Sequence, residues 1–387
     1  MKRIFSIVLA IFILFSLCGC ETGGAKTQNI QWHFDGDIEI TQAEVQTIVN
    51  GNFKTPKNII MIIGDGMGAN DIEITQNHSK DIYDFGLVLN QIPNHGIATT
   101  HSADNEVTDS AASGTALSTG VKTNNGYVGM DVNQNDLKTM AERAREAGKR
   151  VGIVTDDTIV GATPTAFVTH CVSREDKDTL ANLMFDFCPD VLIGESYDDF
   201  YYRLSKERQS SINKKYIVSQ EVDEFSSTLN SNSNLKKPFL GFNGGYTSYV
   251  TNNLAYCAQV AFNRLKNDKG FFLMIESSGT DKYGHSNAIK GKISSVVNLD
   301  RTVAAALLFM KENPDTLLVI TSDHETGGVK LPDANSEPTD KLFMSGSHTA
   351  TPVRVFAVGQ GSEYFKDKTV DNTDISKFVI DKLKKVK

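Results

Sequence analysis

The chain has 387 residues, of which 40% are hydrophobic, so it can build the core of one large domain or of two ordinary ones. It carries 39 Lys and Arg residues against 47 Asp and Glu residues, a formal net charge of −8. Proteins that bind nucleic acids usually present a basic face, so this balance argues against a nucleic-acid partner. It does not argue against a small anion in a local pocket, because bound cations can reverse the local potential.

Residues 1–19 have the composition of an export signal, a basic start followed by an apolar run that is too early and too short for a typical spanning helix. Residues 17–20 are Leu-Cys-Gly-Cys and resemble a bacterial lipobox, in which Cys20 is lipidated and becomes the first mature residue. We therefore predict an exported protein anchored to the extracytoplasmic face of the cell membrane. The alternative is secretion after ordinary signal cleavage. Residues 20–57 are then a polar tether and lead-in.

Three cysteines remain after the signal: Cys171, Cys188 and Cys257. An odd number of cysteines in an oxidising compartment allows at most one internal disulfide, and the sequence does not say which pair would form it. None has the close spacing of a cysteine metal site.

Short apolar runs alternate along the chain with amphipathic stretches, which predicts a mostly parallel sheet buried between helices. The predicted strands are 59–64, 151–155, 190–194, 271–276, 316–321 and 353–358. The predicted helices are 134–148, 175–187, 252–267, 292–313 and 373–385. The expected fold is a three-layer αβα sandwich spanning residues 58–387. The polar stretch 195–236 has no clear periodicity, and we expect it to be an irregular surface insertion.

Acidic and imidazole side chains follow several of these strands in turns rich in Gly and Ser. They are Asp65, Glu276, Asp281, His285, Asp323 and His324, with His348 just before the last strand. Ligands of open α/β sheets bind beyond the carboxyl ends of the strands, so we expect these side chains to converge on one edge. Each alone has an ordinary structural explanation, such as a helix cap. Together, imidazole and carboxylate groups without cysteine indicate catalytic zinc, and all-oxygen sets indicate Mg²⁺.

Residues 107–120, VTDSAASGTALSTG, place Asp109 directly before Ser110 and follow the pair with very small side chains. We predict a helix that begins there, close to the expected metals. Its N-terminus would favour binding of an anion, because the first N–H groups of a helix have no partner within the helix and its dipole is positive at this end. Asp109 would either cap this helix or pair with an arginine. The segment 161–174 adds a candidate hydroxyl ligand, Thr163, and a candidate phosphate clamp, Arg174.

These residues and the motifs around them resemble those of the alkaline phosphatase family. The resemblance covers residues from about 58 to about 379. It rests on IIGDGMG, VTDSAASGTALSTGVKTNNG, GATPTAF, ESSGTDKYGH, TSDHETGG and GSHT, which occur in the family's order. It implies a catalytic domain at 58–387 that hydrolyses phosphate monoesters, with Ser110 as the nucleophile and Arg174 as the residue that binds phosphate. It also favours pairing of Asp109 with Arg174.

The resemblance further implies two zinc ions and one magnesium ion. Asp281, His285 and His348 match the ligands of the first zinc. Asp65, Asp323 and His324 match those of the second, which Ser110 faces. Asp65, Thr163 and Glu276 match the magnesium site, and Lys282 matches a lysine that contacts phosphate through water in some members.

One position departs from the family pattern. Better-known members carry Asp or His two residues before the position of Thr163, and this chain has Gly161 there. Glycine can neither contact a bound water nor orient Lys282 or Arg174, which puts the identity of the third metal in doubt. The chain is also too short for the large insertions of some relatives, so a homodimer is left open.

We expect an extracytoplasmic alkaline phosphatase that releases inorganic phosphate through a phosphoseryl intermediate. A phosphodiesterase or phosphonate hydrolase of the same superfamily is the first alternative, but such enzymes often use a threonine nucleophile and lack the arginine. A sulfatase would need a modification motif that residues 110–114 lack. The remaining alternative is a surface lipoprotein that binds phosphate or metal without turnover.

Overall fold

The computed structural model describes residues 38–229, 235–245, 253–333 and 336–383, so the export signal and Cys20 lie outside the described residues. This part of the chain contains twelve strands. They are β1 (Asn58–Gly64), β2 (His95–Thr99), β3 (Arg150–Thr155), β4 (Val191–Gly194), β5 (Ile217–Ser219), β6 (Phe239–Phe242), β7 (Phe271–Ser277), β8 (Thr316–Thr321), β9 (Glu325–Thr326), β10 (His348–Thr349), β11 (Val353–Val358) and β12 (Thr369–Asp371).

Ten of these strands form one sheet in the order β12-β2-β11-β8-β1-β7-β3-β4-β6-β5, and β9 pairs with β10 separately. Within the large sheet, β11 runs antiparallel to both of its neighbours, and the other neighbouring strands are parallel. Strand β1 lies between β7 and β8, and all of its residues are buried. Its unbroken apolar run suits a strand that is covered on both faces.

Helices cover the two faces of the sheet. The described helices are α1 (Gln42–Val49), α2 (Ala69–His78), α3 (Ser110–Thr119), α4 (Met140–Glu146), α5 (Ala162–Ala166), α6 (Lys177–Phe187), α7 (Tyr197–Arg203), α8 (Lys206–Lys215), α9 (Asn253–Leu265), α10 (Gly279–His285), α11 (Ile289–Glu312) and α12 (Asn372–Lys382). Alternate residues of β1 enter different cores: Ile60 joins the core of α9 and α11, and Ile59 joins that of α4, α6 and α12. The predicted αβα sandwich is therefore confirmed.

The predicted helix 134–148 is shorter in the structure, where α4 begins at Met140. Thr139 caps it, because its hydroxyl accepts from the Glu142 backbone N–H while the Glu142 carboxylate accepts from the Thr139 N–H. Before the cap, Met130 and Asp136 form an isolated β-bridge, and Gln134 has a left-handed backbone. The apolar pattern did not reveal this turn.

The stretch 195–236 is not irregular where the structure describes it. Ser196 and Ser205 act as N-caps for α7 and α8, and each serine side chain accepts a backbone N–H of the helix that follows. Strand β5 then adds to the edge of the large sheet beside β6. The serine caps thus mark where these two helices begin, although the helices lack a strong apolar face.

Helix α11 is the one described helix long and apolar enough to cross a membrane by length and composition. It packs against α2, α9 and α10, and most of its apolar window is buried within the fold. This burial is that of a core helix.

Cys171, Cys188 and Cys257 all lie within the described residues, and the first and last of them are buried. The one internal disulfide that the cysteine count allowed is absent among these three residues.

Candidate active site

The carboxyl ends of the central strands bring the predicted residues to one edge of the sheet. Asp65 directly follows β1, and Glu276 lies near the end of β7, the parallel neighbour of β1. Asp323 and His324 follow β8 on the other side of β1. Because β9 starts just after His324 and pairs with β10, it brings His348 beside them. Strand order thus gathers residues that lie far apart in the sequence.

Close approach of these segments requires the glycine that follows Asp65. Gly66 has a φ of +70°, and a Cβ added there would lie 2.7 Å from the Asp281 Cα. A side chain at this position would therefore push α10 away from β1. The glycines of IIGDGMG include one that lets two site segments touch.

The first predicted zinc set converges. His285 Nε2 and His348 Nε2 each lie 3.3 Å from Asp281 Oδ1, and 3.2 Å from each other. The remaining ring nitrogens are held by carbonyl groups, Nδ1 of His285 by Gly346 O and Nδ1 of His348 by Thr108 O. These outer bonds fix the ring orientations so that the Nε2 atoms face one point.

The second predicted zinc set is also assembled. His324 Nε2 lies 3.2 Å from Asp323 Oδ2 and 3.5 Å from Asp65 Oδ1. All three side chains are buried, and both of these carboxylate oxygens lack a hydrogen-bond partner. A buried acceptor without a partner is costly. A divalent cation would satisfy both oxygens, so the residues present fit a metal ion.

The electrostatics of the cluster favour a bound cation. Burial, followed by the charge of Asp323, holds the pKa of Asp65 well above its ordinary value. Burial and the charge of Asp281 raise the pKa of Asp323 to about 6, and burial raises that of Glu276 to about 8. Burial also lowers the pKa of His324 well below its usual range, which keeps the imidazole in the neutral form that binds metals.

The third set consists of oxygen atoms. Thr163 Oγ1 donates to Asp65 Oδ2 at 3.4 Å, and the same hydroxyl partly offsets the effect of burial on the pKa of Glu276. Thr155 donates a further hydrogen bond to Glu276 Oε2. Two carboxylates and a hydroxyl are the donors that Mg²⁺ prefers.

Ser110 is the first residue of α3, so it lies where the N-terminal end of this helix faces the cluster of carboxylates and imidazoles. Its Oγ is 3.2 Å from His324 Nε2, and the residue is buried. Three residues later, Ser113 donates to the Asp323 carbonyl, which ties α3 to the turn after β8. A serine with these neighbours can serve as a nucleophile beside a metal ion.

Asp109 fills both roles that the sequence left open. Its Oδ1 accepts from the Ala112 backbone N–H at 2.9 Å and so caps α3. Its Oδ2 accepts from Arg174 Nη1 at 3.0 Å and from the Gly126 N–H at 3.1 Å. The arginine charge in turn contributes to the low pKa of His324, after burial and the charge of His348. One carboxylate thus starts the helix and orients the candidate clamp.

The small residues of α3 allow it to lie against α5. Every residue from Ser110 to Thr119 is buried, and a Cβ added at Gly114 would lie 3.1 Å from the Cβ of Ala166. The same Cβ would lie 3.5 Å from the Thr163 Cα. Close packing therefore sets how near Thr163 comes to the carboxylates.

Lys282 lies on α10 next to Asp281 and has a partner that the sequence analysis missed. Its Nζ lies 2.9 Å from Asp157 Oδ2. Burial opposes its charge, but Asp157, together with the nearby charges of Asp65 and Glu276, outweighs burial and raises the pKa of Lys282. The position of Asp157 in the sequence could have revealed it. Asp156 and Asp157 directly follow the predicted strand 151–155, whose carboxyl end lies on the same edge of the sheet as the candidate site.

Other supporting residues also escaped the sequence analysis. Thr326 Oγ1 donates to Asp281 Oδ1 at 2.6 Å, and Asp156 Oδ1 accepts from the Ser278 N–H at 2.6 Å. Lys292 forms a buried ion pair with Asp71 and donates to the Thr326 carbonyl. The sequence assigned no role to them, although Thr326 lies within TSDHETGG, because most of their partners are far away in the sequence.

An α/β sandwich whose sheet edge combines a buried serine with paired carboxylates and imidazoles is typical of phosphoester hydrolases. A family model described as alkaline phosphatase matches residues 56–196 and 246–341. The chain belongs to the alkaline phosphatase family and is a hydrolase of phosphate monoesters.

Individual relatives agree with this family. Alkaline phosphatase 3 of Bacillus subtilis is 31% identical over 363 residues, which cover 87% of this chain and 73% of that protein. Alkaline phosphatase of Escherichia coli K12 is 30% identical over 83% of this chain and 85% of its own length. The structure of alkaline phosphatase from the Antarctic bacterium TAB5 superposes with a TM-score of 0.75 at 27% identity, covering 87% of this chain and all of that one. A variant of the TAB5 enzyme has Mg bound in its M3 site.

Proposed function

We propose that the chain is an exported alkaline phosphatase that transfers the phosphoryl group of a monoester first to Ser110 and then to water. The observation that carries the proposal is the position of Ser110 Oγ, at the N-terminus of α3 and 3.2 Å from His324 Nε2. Arg174, oriented by Asp109, supplies a guanidinium near the same point. A nucleophile, an anion-attracting helix end and a bidentate donor are thus combined.

The chain's own residues account for positioning in both steps. In the first, Ser110 Oγ attacks phosphorus, the bond from phosphorus to the leaving oxygen breaks, and the serine proton passes through solvent to the leaving alkoxide. In the second, water attacks the phosphoserine, the bond from phosphorus to Oγ breaks, a proton from the water returns through solvent to Ser110 Oγ, and inorganic phosphate leaves. Arg174 and the first N–H groups of α3 stabilise the charge on the phosphate oxygens in both steps.

Two zinc ions and one magnesium ion complete the proposed site. Asp281, His285 and His348 would hold one zinc. Asp65, Asp323 and His324 would hold the other, with Ser110 facing it. Asp65 would be shared with the magnesium site, which Thr163 and Glu276 complete. When bound, such ions supply Lewis acidity that stabilises the serine alkoxide and the leaving oxygen.

The deciding assay compares p-nitrophenyl phosphate with its bis ester, using signal-less protein after EDTA treatment and again after Zn²⁺ and Mg²⁺ are restored. We expect metal-restored hydrolysis of the monoester and little of the diester. A reversed preference would assign the chain to the diesterases, and inactivity on both despite bound metal would favour a binding protein.

Replacing the nucleophile tests the mechanism within the same assay. Ser110→Ala should lower turnover by at least about 10³-fold and abolish phosphoenzyme formation. Zinc content should stay close to that of the wild type. Ser118→Ala, on the same helix, is the matched control and should retain turnover. Normal activity of the Ser110 variant would refute the phosphoseryl route.

We further propose that a lipid on Cys20 holds the enzyme at the extracytoplasmic face of the membrane. The support is the lipobox-like sequence after an apolar signal. In cell fractionation, Cys20→Ala should move the protein from the membrane to the soluble fraction. Cys18→Ala is the matched control and should stay in the membrane fraction. Membrane retention of the Cys20 variant would contradict the anchor.

A further inference from the structure

Asp157 is an acidic residue at the edge of the proposed site that no motif of the family resemblance includes. Its Oδ2 lies 2.9 Å from Lys282 Nζ, and its side chain is 16% exposed. A lysine side chain is long and flexible, so an ammonium group that serves a reaction needs a partner to fix its position. Asp157 supplies this partner from the turn that follows β3, away from the lysine's own helix.

The backbone holds Asp157 firmly. Its N–H donates to Thr155 Oγ1 at 2.8 Å, and its carbonyl accepts from the Glu195 N–H at 2.8 Å. Thr155 in turn donates its hydroxyl to Glu276, a member of the proposed magnesium set. Two successive hydrogen bonds therefore connect Asp157 to Glu276, a candidate metal ligand, and one ion pair connects it to Lys282.

Position 161, where the family resemblance calls for an acidic or imidazole side chain, has none. Gly161 caps α5, and its N–H donates to the Thr158 carbonyl at 2.8 Å. A Cβ added there would lie 3.0 Å from Thr158 O and 3.3 Å from Pro164 Cδ. A side chain there would require its neighbours to move by a few tenths of an ångström, and position 161 itself supplies no carboxylate to the site.

We propose that Asp157 is a positioning residue that replaces the side chain missing at Gly161, by fixing Lys282 for phosphate binding and by completing the acidic surroundings of the magnesium set. The inference rests on the proposed function. Lys282 then bridges the substrate and Asp157, while the backbone bond through Thr155 keeps the negatively charged Asp157 carboxylate near Glu276. Loss of the carboxylate weakens phosphate and Mg²⁺ binding together.

The test measures binding, so it does not depend on turnover. Asp157→Asn keeps the shape and removes the charge. With zinc-loaded protein, calorimetry should show that the variant binds Mg²⁺ and inorganic phosphate each about 5- to 10-fold more weakly, as expected for loss of a charge-assisted bond. Asp198→Asn makes the same charge change at an exposed site on α7 and should alter neither affinity by more than about twofold.

A double-mutant cycle separates positioning from general loss of charge. If Asp157 acts on phosphate through Lys282, the double variant Asp157→Asn/Lys282→Met should bind phosphate as weakly as Lys282→Met alone. Additive losses, or an unchanged affinity for either ligand in Asp157→Asn, would overturn the joint role. Failure of the proposed function looks different, since the wild type itself would then hydrolyse no monoester.

Discussion

At the scale of single residues, Asp109 shows how one carboxylate can serve structure and chemistry together. One oxygen caps α3, and the other holds Arg174 and the Gly126 N–H. A cap contributes about 1 kcal/mol to helix stability, whereas the ion pair determines where a guanidinium points. The two contributions can be separated because an amide caps as well as a carboxylate but cannot form an ion pair.

We predict that Asp109→Asn leaves the free energy of unfolding within about 1 kcal/mol of the wild type, because asparagine is an equally good cap. Inhibition by inorganic phosphate should weaken about 10-fold, because Arg174 loses its anionic partner. Urea denaturation and the phosphate inhibition constant measure the two effects. Asp176→Asn, at the cap of α6, is the control and should change neither quantity appreciably. Unchanged inhibition in the Asp109 variant would contradict the orienting role.

At the scale of elements, the central strands were predictable and several helices were not. Strands β1, β7 and β8 are continuous apolar runs, since both of their faces are buried. Helices α7 and α8 were missed, because serine caps define them more than an apolar face does. Asp157 was missed for another reason: its importance depends on Lys282, which lies on an element far away in the sequence. Local patterns reveal strands and motifs, but not contacts between distant side chains.

The contact between α3 and α5 yields a prediction for Gly114. Replacement by leucine should destabilise the fold by about 2 kcal/mol, because the side chain would overpack against Ala166. It should also weaken Mg²⁺ binding, since α5 carries Thr163. Gly114→Ala, the graded control, should cost far less, because better helix propensity offsets the tight 3.1 Å contact. Urea denaturation and calorimetry report the two effects, and equal stability of the leucine variant would show that the helices are not closely packed.

A second prediction at this scale concerns pH and Asp300 of α11. Its carboxylate accepts the N–H groups of Val88 and Leu89, each at 2.9 Å, and burial raises its pKa from 3.8 to about 7. Between these values the native state retains a proton that the unfolded chain has released, so stability falls as pH rises. Relative to Asp300→Asn, the wild type should lose on the order of 3 kcal/mol between pH 5 and pH 8.

The measurement is urea denaturation of both proteins across this pH range. Asp198→Asn is the control, and its stability should run parallel to that of the wild type. A difference between the wild type and Asp300→Asn that stays constant with pH would show that the buried carboxyl group does not titrate in the native state.

At the scale of the whole molecule, the sheet gathers more negative charge than the fold itself can neutralise. Asp65, Glu276, Asp281 and Asp323 are all buried at one edge, and two of their oxygens have no hydrogen-bond partner. Arg174 and Lys282 lie at the periphery and already pair with other carboxylates. Burial of these charged carboxylates therefore destabilises the native state, and cations that bind only the native state would offset this cost.

Metal removal should accordingly lower the melting temperature, by an amount that corresponds to about 4 kcal/mol when metal is present at about a thousand times its dissociation constant. Asp323→Asn sharpens the test, because it removes one buried negative charge while Oδ1 keeps its bonds to the Gly66 and His324 N–H groups. In EDTA this variant should melt above the wild type, and with Zn²⁺ it should melt below. Calorimetric scans in both conditions measure the crossover, with Asp198→Asn as the charge-matched control. If EDTA leaves the wild-type melting temperature unchanged, the buried carboxylates do not bind metal ions.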